Sequence, residues 1–232
     1  MILITTPGKV GSEAAALLAA TGTPVRVLVR HSDRAATLRA AGIEATVGDL
    51  EDKASIAKAM VGVSAVILVS PAVPGQELRV VQAAKEAGVA HVVKVTSKAS
   101  PDSPIARRRG QSEIEAGLAA SGLAHTLLRA NAYMQNFLAL APAIAETGSF
   151  GSSAAGGRVG LIDARDVAAV AARIAAQPDE HDGQTYWLSG PQLLSYTDVA
   201  TILSEVLERP VAFEPRTSEE DRQAMIAAGV PD

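Results

Sequence analysis

A chain of 232 residues with 48% hydrophobic residues is long enough to bury the core of one α/β domain, and the absence of cysteine excludes disulfides, thiolate nucleophiles and cysteine metal ligands. A formal net charge of −4 and a pI near 5.6 lack the basic footprint of a nucleic-acid binder, although Arg107, Arg108 and Arg109 form a local cluster. No apolar run reaches membrane-spanning length, and the four histidines are too scattered for a local metal motif.

Ile2 to Thr5 predicts a short strand, followed by a turn at Pro7 and Gly8 and an Ala-rich helix closed by Gly22. The step repeats with strand 25–30, a helix over 32–41 closed by Gly42, strand 43–47 and a helix over 53–60. Strand 65–69, helix 75–87, strand 91–97, helix 108–120 and strand 124–128 continue it. Continuous apolar strands alternating with helices predict a parallel sheet covered on both faces, because each parallel crossover needs a helix-length connection. Beyond Ala139 the rhythm weakens. The Gly- and Ser-rich segment 148–157 reads as a flexible loop, while Ser195 with Asp198 and Thr217 with Glu220 are spaced as helix caps. The expected fold class is therefore a doubly wound, Rossmann-type α/β sheet in one domain over 1–232. Residues 131–160 and 185–232 are expected to add a small C-terminal substrate lobe.

Thr6, Pro7, Gly8, Lys9, Val10 and Gly11 join the first strand to the first helix. Small residues here let a backbone approach a dinucleotide pyrophosphate, whose charge suits the free amides of a helix start. Gly8 and Gly11 have the G-x-x-G spacing, with Thr5 where a three-glycine fingerprint has its first glycine; the same spacing also serves a tight turn and close helix packing. Val10 after Gly8-Lys9 argues against a P-loop. Arg30 stands at the end of the second strand, where an NAD-binding chain commonly has an acid. A guanidinium there suits a 2′-phosphate, with His31 and Arg34 as further donors, so NADP(H) is expected in preference to NAD(H). A plain solvated basic turn has the same composition. Asp49, in the Gly48-Asp49-Leu50 turn, fits either an adenine contact or a cap beside Glu51 and Asp52.

Together the segments ILITTPGKVGS, VLVRHSDRA, VGDLEDKASIAKAMVGVSAVILVSP, SEIEAGLAASGLAHTLLRANAYMQNF and GPQLLSYTDVATILSEVLERPV resemble the NmrA-like branch of the atypical short-chain dehydrogenases/reductases. That branch includes NADPH-dependent quinone reductases and triphenylmethane reductases, and the resemblance runs to about Pro231. It implies pyrophosphate contacts for Thr6 through Gly11, a 2′-phosphate contact for Arg30, and an adenine contact for Asp49 beside Leu50. Val69, Ser70 and Pro71 would run past the ribose, with Thr96 and Ser97 beneath the nicotinamide. Asn131, Ala132 and Tyr133 would face nicotinamide and substrate, and Asn136 would fix their loop.

The chain departs from the family pattern in a phosphate turn one residue short, in Ala130 for a proline, and in Gln111. Family reductases often carry His, and plant relatives Lys, where Gln111 stands four residues before Glu115. A glutamine can hydrogen-bond a carbonyl but cannot deliver a proton. No Tyr-x-x-x-Lys pair is present, which leaves Gln111, Tyr133 and Ser97 as candidate catalytic groups. Each has a plain structural alternative: an exposed helix position, a packed aromatic and a strand-end hydroxyl. The family often continues past an Ala-Ala-Gly-hydrophobic-Pro segment, so a more open pocket or a truncated chain is expected. The resemblance implies hydride transfer from NADPH to a quinone or similar aromatic acceptor, while composition and charge lead us to expect a cytoplasmic monomer or homodimer with no metal, nucleic-acid or membrane partner. A non-catalytic NADP(H) sensor and a cofactor-retaining isomerase or epimerase are the alternatives.

Overall fold

The computed structural model describes residues 1–227. In chain order its elements begin with β1 (Ile2–Ile4), α1 (Lys9–Ala20), β2 (Val25–Val29), α2 (Ser32–Ala40), β3 (Glu44–Val47) and α3 (Lys53–Ala59). They continue with β4 (Ala65–Leu68), α4 (Pro74–Glu86), β5 (His91–Thr96), α5 (Ala106–Ser121) and β6 (His125–Ala130). A 3-10 stretch, Met134–Leu140, leads into α6 (Ala141–Thr147), β7 (Ser149–Ser152), β8 (Arg158–Gly160), α7 (Ala164–Ala176) and β9 (Thr185–Leu188). The chain then forms β10 (Leu193–Ser195), α8 (Tyr196–Leu207), β11 (Ala212–Pro215) and α9 (Ser218–Ala227). The resemblance to about Pro231 and the lobe expected to 232 extend past Ala227 and so partly lie outside the described residues.

The chain divides into two compact units. Unit 1 comprises Met1–Asn131 and Asp163–Leu188, and unit 2 comprises Ala132–Ile162 and the chain from Ser189 onward. Unit 1 is built on a seven-stranded sheet in the order β3-β2-β1-β4-β5-β6-β9, with every neighbouring pair parallel. All residues of β1, β4 and β5 are buried, as expected for strands covered on both faces. On one face Leu3, Leu28, Val66 and Val92 pack with Ile56 of α3, Val80 of α4 and Leu118 of α5. On the other, α1 and α7 run against each other, and Ala14, Ala15, Ala168 and Ala171 are buried in these helices. Gly22 and Gly42 follow α1 and α2 with φ of +72° and +76°, a left-handed conformation that glycine takes without strain. This is the Rossmann-type doubly wound sheet, and its strand order reverses between β1 and β4. Such a reversal opens a crevice at the carboxyl ends of those strands.

Unit 2 holds two small ribbons, β7 with β11 in parallel and β8 with β10 antiparallel. Ile144, Phe150, Leu161, Val199, Ala200 and Val211 form its core. Ser195 and Asp198 make the expected capping box at the head of α8, and Thr217 and Glu220 exchange the equivalent bonds before α9. The loop expected over 148–157 is corrected: residues 149–152 are β7. Its one large apolar side chain, Phe150, is buried in the unit 2 core, while glycine and serine at the flanking positions conceal a strand pattern.

Candidate functional site

The turn after β1 is braced from below by two threonines. Thr5 Oγ1 accepts from the Val69 N–H at 2.9 Å and donates to the Val69 carbonyl at 2.8 Å, and Thr6 Oγ1 donates to the same carbonyl at 2.7 Å. Thr5, standing where the fingerprint has glycine, thus ties the turn to the end of β4. The two remaining glycines have different duties. A Cβ on Gly11 would lie 1.9 Å from the Thr6 carbonyl oxygen, so Gly11 is required for α1 to pack on its own turn. Gly8 has φ −76° and ψ −165°, open to any residue, and a Cβ there would meet nothing nearer than Thr6 Oγ1 at 4.0 Å. The fold therefore does not demand glycine at position 8. Gly8 is also the N-cap of α1 and supplies no side-chain cap, and the dipole of a helix start favours an anion there.

Thr6, Pro7 and Gly8 line a cavity of about 370 Å³ in unit 1, together with Arg30, Asp49, Leu50 and Pro71. His31 and Arg34 also line it, as do Val73 and Gln76. Arg30 is exposed, and among the described residues its guanidinium makes no ion pair or hydrogen bond. Arg34 reaches Ser12 Oγ at 3.3 Å. Asp49 Oδ1 accepts from the Glu51 N–H at 2.9 Å, while Asp52 is the N-cap of α3. Asp49 is therefore a turn former at the cavity wall and not the cap of α3. Lys9, Val10, Gly11, Val69 and Ser70 do not line this cavity. Val10 and Gly11 are buried under it, and Val69 braces it through its backbone.

A buried polar network runs behind the ends of β4, β5 and β6. Ser70 Oγ donates to Glu77 Oε1 at 2.7 Å. Glu77 Oε2 lies 2.5 Å from Lys94 Nζ, an ion-pair contact outside regular hydrogen-bond directions, and both side chains are 0% exposed. Burial pulls the Lys94 ammonium below the usual lysine range, and the Glu77 carboxylate opposes that shift. Thr96 Oγ1 donates to Glu115 Oε1 at 2.9 Å, and Arg129 pairs with Glu115 Oε2 at 2.5 Å. Ser97 is half-buried at the end of β5, and Asn131 is exposed, its N–H donating to Leu188 O at 2.9 Å. Gln111 is only 1% exposed, which corrects its reading as an exposed helix position. Its Oε1 has no hydrogen-bond partner among the described residues. A buried amide oxygen left unpaired costs about 1 to 3 kcal/mol, which marks Gln111 for a role beyond packing.

Unit 2 contains a larger cavity, about 840 Å³, lined by Ala132, Tyr133, Asn136, Phe137, Phe150 and Tyr196 among others. The rings of Phe137, Phe150, Tyr196 and Phe213 pack at centroid distances of 5.5 to 6.3 Å. All three phenylalanines and two of the three tyrosines thus lie in or against this cavity, in a chain with 3% aromatics. Tyr133 bridges to Ile162 and forms part of the wall.

Sequence reasoning did not find Gln76, the Glu77–Lys94 pair or Arg216 of the unit 2 cavity. The signal for the pair was a lysine inside the apolar strand 91–97 and a glutamate at an inward position of α4; nothing in the sequence marks Gln76 or Arg216.

With this geometry established, known proteins supply a close context. The chain is 40% identical over 229 residues to an NAD(P)H azoreductase from Xenophilus azovorans, covering 97% of this chain and 80% of that one. Its fold matches the NADPH-dependent quinone oxidoreductase from Escherichia coli, solved with NADPH, with a TM-score of 0.87 and 30% identity. That match covers 100% of this chain and 84% of the other. The Citrobacter sp. triphenylmethane reductase complexed with NADP(H) also matches with a TM-score of 0.87, at 28% identity, over 100% and 84% of the two chains. The NmrA-like family model matches residues 1–231, and the chain belongs to the NmrA-like family.

Proposed function

We propose that this protein is an NADPH-dependent oxidoreductase in which unit 1 binds NADP(H), and NAD(H) less tightly, while unit 2 takes a quinone or similar conjugated acceptor. The observation that carries the reading is the unpaired Arg30 guanidinium in the same cavity as Gly8 and the uncapped head of α1. That combination suits a pyrophosphate and a 2′-phosphate on one ligand. Thr6, Pro7, Gly8, Lys9, Val10 and Gly11 would hold the pyrophosphate, Arg30 the 2′-phosphate, and Asp49, Leu50 and Pro71 the adenosine side. Val69, Ser70, Thr96, Asn131 and Ala132 would serve the ribose and nicotinamide. The azoreductase, quinone oxidoreductase and triphenylmethane reductase names support an aromatic acceptor, and so does the ring-lined cavity.

When bound, the reduced nicotinamide supplies a hydride, and reduction of a quinone to its hydroquinone then consumes one proton. Gln111 can orient a bound group by hydrogen bonding but cannot supply that proton. A hydroquinone anion is stabilised by its own ring, so solvent suffices as the source, with Tyr133 and Ser97 as the remaining candidate donors in the chain. The test is NADPH oxidation with a panel of quinones, azo and triphenylmethane dyes and enones. Acceptor-dependent oxidation is expected. None across the panel, with NADPH binding intact, would instead assign the chain to NADP(H) sensing.

Gln111→Met gives a sharper test of that residue. Removing an unpaired buried amide is expected to leave stability unchanged or raise it by about 1 kcal/mol, while turnover falls about fivefold, the value of one neutral hydrogen bond. Urea denaturation and steady-state kinetics on the same variant check both. A loss of stability with unchanged turnover would make Gln111 a packing residue.

A further inference from the structure

Among the described residues Arg216 is the one cation in the wall of the unit 2 cavity, which rings and aliphatic side chains share with polar groups such as Asn136, Thr147, Glu214 and Asp221. It follows β11, and its N–H donates to the Ser152 carbonyl at 3.0 Å, which fixes its backbone against the end of β7. Its side chain lies directly over Gly151: a Cβ on that glycine would fall 2.2 Å from Nε, 2.5 Å from Cζ and 2.8 Å from Nη2. The absent side chain at position 151 is therefore the seat of the guanidinium. Among the described residues this guanidinium makes no ion pair or hydrogen bond, although two carboxylates line the same cavity. Asp221 is 9% exposed, and its Oδ2 accepts from both the N–H and the hydroxyl of Ser153, which commits it to that turn. Glu214 is exposed and screened by solvent, and Glu220, which feels the Arg216 charge, is engaged with Thr217.

We propose that Arg216, seated on Gly151, is an anion-recognition site that makes the unit 2 cavity selective for aromatic acceptors bearing a carboxylate or similar anionic substituent. The inference rests on the reading of unit 2 as the acceptor site and adds the charge of the acceptor to it. A five-donor planar fork beside an apolar, ring-lined space favours an amphipathic ligand, with its conjugated body against Phe137, Phe150 and Tyr196 and its anion on the fork.

The test uses one naphthoquinone with a short alkyl tail ending in a carboxylate, its methyl ester, or a trimethylammonium group, so that the ring chemistry is constant. Binding is measured by calorimetry and turnover by NADPH oxidation. The acid is expected to bind about tenfold more tightly than the ester, as one charge-assisted contact provides, and the cationic form more weakly than either. Arg216→Gln should bring the acid-to-ester ratio close to one, and Gly151→Ala, which unseats the guanidinium, should reduce it as well. A ratio near one in the unmodified protein, a preference for the cationic form, or a ratio that survives Arg216→Gln would overturn the proposal. If none of the three quinones is reduced, the oxidoreductase reading fails, while the binding ratios still decide whether Arg216 selects an anion.

Discussion

Gly8→Val is expected to weaken NADPH binding about 100-fold or more, roughly 2.7 kcal/mol, while the protein remains folded. The expectation comes from the separate duties of the two glycines in the turn. At Gly8 the backbone is extended and a Cβ would meet nothing nearer than Thr6 Oγ1 at 4.0 Å in the wall of the cavity, so a branched side chain is expected to be accommodated and to obstruct what enters. The cost to stability is about 1 kcal/mol, because Val is a poorer N-cap than Gly. Gly11→Ala is the matched opposite, since its Cβ would strike the Thr6 carbonyl and cost about 1 to 3 kcal/mol of stability by overpacking. Calorimetry and urea denaturation on both variants separate the roles. Retained NADPH affinity in Gly8→Val would show that this turn serves only the fold.

Lys94→Met is expected to destabilise unit 1 by about 3 to 5 kcal/mol, the largest stability effect anticipated for a side chain outside the aliphatic core. It strands the Glu77 carboxylate, which is fully buried and, among the described residues, accepts a hydrogen bond only from the Ser70 hydroxyl. Two buried charges taken from water together lose hydration that their attraction must offset; one left alone has no such compensation. The double replacement Lys94→Met with Glu77→Leu should accordingly recover most of the loss. Urea midpoints for the two single variants and the double variant form a cycle. A loss below about 1 kcal/mol in Lys94→Met would show that the buried pair contributes little to stability.

Most of the sheet was legible because β1, β2, β4, β5 and β6 are largely apolar runs, whereas β9, a half-exposed edge strand of alternating burial, gave no such run and was expected in the C-terminal lobe. The glycine-closed helices and the Ser195–Asp198 cap follow from local pattern, while β6 runs two residues past the end expected for strand 124–128. Spacing alone could not separate the duties of Gly8 and Gly11, because the difference lies in how near the Thr6 carbonyl comes to each Cα. The exposed-position alternative for Gln111 fails for a traceable reason. Its neighbours Arg107, Arg108, Arg109 and Glu113 suggest a solvated face, yet Gln111, Ile114, Glu115 and Leu118 share the inward stripe of α5 at helical spacing. The strand at 149–152 was hidden by composition, since Gly151 is there to seat an arginine more than sixty residues later in the chain and no local propensity records that.

A nucleotide carrying a 2′-phosphate in the unit 1 cavity would meet Arg30. Calorimetric titration of NADPH and NADH into the unmodified protein and into Arg30→Ala compares two ligands that differ only in that phosphate. The unmodified protein is expected to bind NADPH more tightly, and Arg30→Ala to narrow the difference by about 1.5 to 3 kcal/mol, the worth of a hydrogen bond to a charged group. Equal affinities in the unmodified protein, or a preference untouched by Arg30→Ala, would contradict the account.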